Sequence, residues 1–68
     1  MIKITITSVK VDSSFVEEHP TFHVGSTIYY IIRESGVRLS DYFRDEEIAV
    51  WHAWRLVKKY GLTLVEPW

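Results

Sequence analysis

The chain opens on an alternation. In IKITITSVKV (residues 2 to 11), Ile2, Ile4 and Ile6 fall on one side and Lys3, Thr5 and Thr7 on the other, which is the period of a half-buried strand. After Ser8 the phase reverses and Val9 and Val11 become the apolar positions. A bulge near Thr7–Ser8, or burial of the far end by another element, accounts for such a switch. DSSFVEEHP (12 to 20) reads as a polar turn anchored by Phe15 and Val16, and PTFHV (20 to 24) as a short returning strand whose first residue is a proline.

GSTIYYIIRESGV (25 to 37) supports two readings. Gly25-Ser26 can be the two-residue turn of a hairpin leading into a strand rich in β-branched and aromatic residues. The preferred reading is a helix over residues 26 to 35, with Ser26 as N-cap, Gly36 just past its end and Val37 placed to touch Ile32. Ile28, Ile31 and Ile32 then face inward, and Tyr30 faces outward beside Arg33 and Glu34. Four β-branched residues oppose this helix.

A second helix follows, capped by Ser40 or Asp45 and stopped by Gly61. Asp45, Glu46 and Glu47 at its start, and Arg55, Lys58 and Lys59 near its end, complement the helix dipole. At about 100° per residue, Leu56, Ala49, Tyr60, Ala53, Val57, Val50 and Trp54 share the expected core face. Trp51 falls opposite, among Glu47, Lys58, Arg55 and His52. LTLVEPW (62 to 68) reads as a last strand ended by Pro67.

The sum is a single α+β domain over residues 1 to 68: a small β-sheet, from an N-terminal strand or hairpin plus a C-terminal strand, with two helices on one face. Residues 1 to 37 resemble the opening of ubiquitin-like β-grasp folds, where a hairpin feeds a helix that crosses the sheet. The resemblance is one of topology. The tail VEPW lacks the paired glycines of a conjugatable modifier, so no function is carried over.

Composition narrows the function. Sixty-eight residues leave little room for a deep pocket. The absence of cysteine excludes disulfides and thiolate zinc sites and fits the cytoplasm. A net charge of -1 gives no global attraction to nucleic acid or anionic membrane. The start is not patterned as a signal peptide, and no apolar run approaches a transmembrane length.

Candidate chemistry is sparse. His19 and His23, with Glu17 and Glu18 nearby, make at best a weak divalent-metal pair that lacks a defined third ligand. Ser13, Ser14 and Ser40 have no base in a fixed relation to them, and no glycine-rich phosphate loop is present. No enzymatic activity, metal or cofactor is expected.

What remains is a set of aromatic and cationic residues that the expected core does not use: Trp51, Arg55, Tyr30, His52 and Trp68. Trp, Tyr and Arg dominate interface energetics. The leading expectation is therefore a non-enzymatic protein-binding module, a small regulator or inhibitor of a larger host or viral protein, working in the cytoplasm (the host cell's if viral). The same patch used on itself gives a homodimer. A nucleic-acid-binding accessory using Trp51 with Arg55, Lys58 and Lys59 is the less favoured alternative. Trp51 itself has two readings: an interface anchor, or a rim residue covered by the stem of Arg55.

Overall fold

The computed structural model describes residues 2 to 68. The elements run β1 (Lys3–Lys10), α1 (Ser13–Glu18), β2 (Thr27–Arg33), α2 (Glu46–Tyr60) and β3 (Thr63–Leu64). β1 is the central strand of the sheet order β2-β1-β3, antiparallel to β2 and parallel to β3. The α+β class is as expected, but several of its elements are carried by other residues.

The segment expected as a helix over residues 26 to 35 is strand β2. Seven residue pairs, from Ile4 opposite Arg33 to Lys10 opposite Thr27, lock it to β1. The capping signals that favour a helix are worth about 1 kcal/mol each and act locally. The strand instead buries both its faces: Ile31 on the α2 side and Ile28 on the other are both inaccessible to solvent. Gly36, at φ +94°, is a turn residue after the strand, its N–H donating to the Arg33 carbonyl at 2.8 Å. The alternative of a strand after Gly25-Ser26 has the right conformation and the wrong partner, because β2 pairs with β1 and residues 20 to 24 form turns.

Residues 13 to 18, expected as a polar turn, form α1, with the Asp12 carboxylate accepting from the Phe15 N–H at 2.9 Å. Phe15 and Val16 are half-buried anchors. The excursion from 12 to 25 is pinched at its base, where Val11 N–H donates to the Ser26 carbonyl and Gly25 N–H to that of Val11. The β1 register runs on without a bulge. Of the two explanations for the phase switch, burial of the far end is the one realised: Val11 is covered on the face opposite Ile4 and Ile6.

The two helices do not share a face. α2 packs on the side of Ile4, Ile6 and Ile31, with Tyr29, Phe43, Leu62 and Leu64 closing the cluster. On the other side Phe15 of α1 meets Tyr42 edge-on at 5.0 Å, and Tyr42 meets Tyr30 at 5.3 Å. His19 stacks on Phe15 at 4.5 Å, and the Arg44 guanidinium lies 4.3 Å over Phe22. This second layer is built from rings, which cover a large area with few residues.

The outer edge of β2 is sealed by residues 37 to 43. Tyr29 and Phe43 exchange both backbone hydrogen bonds, and Leu39 N–H donates to Ile31. Between them the Ser40 hydroxyl accepts from the Ile31 N–H at 2.9 Å. The helix that the β-grasp resemblance implies within residues 1 to 37 is not there, because the residues expected to form it are strand β2.

Candidate functional site

α2 begins and ends where its caps place it. Asp45 is the N-cap, its carboxylate accepting from the Glu47 N–H at 2.9 Å, so Ser40 is free for its bond to β2. Glu46 and Glu47 occupy the first turn and Lys58 and Lys59 the last, as the helix dipole favours. Gly61 closes the helix at φ +66°.

Ala49 and Ala53 are the residues of α2 with no solvent exposure. With only a Cβ at each, the helix backbone can approach Ile4, Ile6 and Ile31 closely. Val50, Leu56 and Val57 pack partly at the flanks. This corrects the expectation that Trp54 is the core tryptophan: it is 45% exposed, and Tyr60, also expected inside, is 61% exposed. The apolar arc of α2 is wider than the face a small sheet can cover. The smallest side chains seat deepest, and the indole is rotated to the outer edge.

Trp51 is 58% exposed. The Arg55 guanidinium lies 4.9 Å over its ring, so part of the ring is covered as the rim reading requires, while most of it remains open. His52 is edge-on to Trp51 at 4.9 Å and stacks on Phe43 at 4.7 Å with 10° between the planes. A continuous contact therefore runs from Arg55 through Trp51 and His52 to Phe43 and the core. Being three residues apart, Trp51 and Trp54 are neighbours on the helix surface and form an aromatic crest along the outer side of α2.

The five expected site residues are not one patch. Trp51, His52 and Arg55 are together on α2. Tyr30 lies on the opposite face of the sheet, paired in register with Thr7 and packed on Tyr42; its outward placement followed from the helix that β2 replaces. Trp68, past the Glu66–Pro67 bond, is 43% exposed. The residue that sequence reasoning missed is Trp54. Its signal was its size: the largest ring on an alanine-rich contact face has no room there.

His19 belongs to the ring layer, and among the described residues no three His, Asp or Glu side chains converge as a metal cluster would require. The hydroxyls of Ser26 and Ser40 are spent on the carbonyls of His23 and Asp41. No helix is long and apolar enough to cross a membrane among the described residues. No protein-family model matches the chain, and no curated protein or solved structure matches it.

Proposed function

We propose that this protein is a non-enzymatic binding module, a small regulator or inhibitor that docks the outer side of α2 on a larger protein. The observation that carries the reading is the crest itself: two neighbouring tryptophans, 58% and 45% exposed, on the side of the helix that the fold does not use. Exposed indoles cost solvation and add little to folding, whereas buried in a partner's pocket they are the commonest anchors of interface energy. Arg55, held over Trp51, orients the ring before binding and so lowers the entropy lost on association.

The test is site-specific photo-cross-linking in cells of the source organism. A benzophenone amino acid replaces Trp51, with a second version carrying it at the exposed Ser14 of α1 as control. The expected result is an adduct with one other protein from position 51 alone, abolished by Trp54→Ala. Sedimentation of the purified chain as a monomer is expected alongside. An adduct of the chain with itself makes the crest a homodimer surface, and no adduct above the control refutes the reading.

A further inference from the structure

Beside the crest, α2 and residues 37 to 43 border a cleft of about 850 Å³ that is wide open to solvent. Its apolar lining is Ile31, Leu39, Phe43 and Leu56. Its rim carries Arg38, Arg55, Lys58 and Lys59, against Asp41 alone. Four of the chain's eight Lys and Arg thus gather at one cleft with one of its nine Asp and Glu. The local excess is three positive charges in a protein whose total is -1. The helix dipole explains Lys58 and Lys59 in the last turn. Lys58 and Lys59 are the only basic residues of that turn, so, against the sequence expectation, the dipole acts little on Arg55, which lies over Trp51. Nor does it account for Arg38, which comes from a different segment, lies 4.5 Å over the Tyr42 ring and donates to the Ser40 carbonyl.

We infer that the cleft receives an acidic segment of a protein partner, in which Asp or Glu residues flank an aliphatic side chain. The carboxylates meet the cationic rim and the aliphatic group seats on Leu39 and Leu56. A nucleic-acid strand fits less well, because stacking needs free aromatic faces. Of the rings lining the cleft, Phe43 and His52 cover one another and Tyr60 has Lys59 5.3 Å over it. Ammonium and guanidinium groups bind carboxylates and phosphates alike, so the apolar part of the lining decides: Leu39 and Leu56 suit an aliphatic side chain. The inference rests on the protein-binding reading and names the chemistry of the partner surface next to the crest: apolar where it meets Trp51 and Trp54, acidic where it enters the cleft.

The experiment measures fluorescence anisotropy of a short labelled peptide in which Asp and Glu flank a central Leu pair. Comparison probes are the same peptide with Ala for Leu, and labelled oligothymidylate. The Leu peptide is expected to bind at least roughly tenfold tighter than either comparison probe, and to weaken by roughly tenfold or more in the Arg55→Gln/Lys59→Gln variant. Its affinity should fall as salt rises. Lys3→Gln/Lys10→Gln, which removes two charges from β1 outside the cleft lining, should leave it within about twofold. Circular dichroism confirms that each variant is folded. Equal binding of the Ala peptide reduces the cleft to bulk charge attraction and overturns the inference. So does tighter binding of the oligonucleotide, or affinity indifferent to Arg55 and Lys59. Failure here with the position-51 adduct intact refutes the cleft alone, whereas peptide binding without the adduct refutes the crest.

Discussion

Replacing Ile31 with alanine separates the strand from the helix that the local signals favour. Ile31 has no solvent exposure and faces Ile6 across the register, with Ala49 and Ala53 over it. Removing the side chain beyond Cβ, at about 0.8 kcal/mol per methylene-sized group, costs about 2.4 kcal/mol in transfer alone. The two alanines are too short to fill the space, so a cavity term brings the total to about 3–4 kcal/mol, inside the usual range for such changes. At about 0.05–0.15 kcal/mol per residue, a domain of this length has about 3–10 kcal/mol in hand. The melting temperature should then fall by about 15–30 °C. Ile32→Ala is the matched control: its side chain is half-buried on the other face, and about 1–1.5 kcal/mol is expected. Paired thermal and urea melts followed by far-UV circular dichroism supply both values. Equal losses at the two positions, as a helix burying Ile31 and Ile32 together would give, refute the alternation on which the fold rests.

Trp51→Ala should change stability by less than about 0.5 kcal/mol and Trp54→Ala by about 1 kcal/mol, both read by urea denaturation; a loss above about 3 kcal/mol for Trp54 would return it to the core. Tyr30→Ala should cost about 1–2 kcal/mol through the lost packing on Tyr42, with the position-51 adduct unaffected. Gly61→Ala should cost about 1 kcal/mol: a Cβ there meets nothing within 4 Å, so the penalty is that of the left-handed backbone alone, and Gly61→Asn should recover part of it.

The sequence was most legible where several local signals describe one element that tertiary contacts also want. α2 is such an element, with its acids, its bases, its cap at Asp45 and its stop at Gly61. β1 announces itself by alternation. Residues 27 to 33 carry a local helix signal that the fold overrides: a Ser and a Gly at helix-like spacing are also the residues that begin and turn a strand, and the deciding quantity is a seven-pair register to residues far away in the chain. The same non-locality hid the ring layer: Phe15, Phe22, Tyr30 and Tyr42 carry no shared period and meet only because α1 and residues 37 to 43 both reach one face of the sheet. For the candidate site, periodicity placed Trp51 outward. The width of the apolar arc concealed that Trp54 joins it, since helical angles say which residues are neighbours and not how deep each can sit.

β1 has two unlike neighbours, and this gives the sheet a preferred order of assembly. Lys10 pairs with Thr27, with the hydrogen bonds of Val11 to Gly25 and Ser26 at the base of the intervening excursion. That pairing can zip toward Ile4 after closing one modest loop. Lys3, in contrast, pairs with Thr63, and its closure entropy is lowered only once β2 and α2 are already in place. The junction with β3 is therefore the last to form and the first to open. In native-state hydrogen exchange the amides of Thr63 and Val65, bound to the carbonyls of Ile2 and Ile4, belong to a low-energy opening. The amides of the paired residues Thr5 and Ile32, and Thr7 and Tyr30, between β1 and β2, exchange only when the whole domain unfolds.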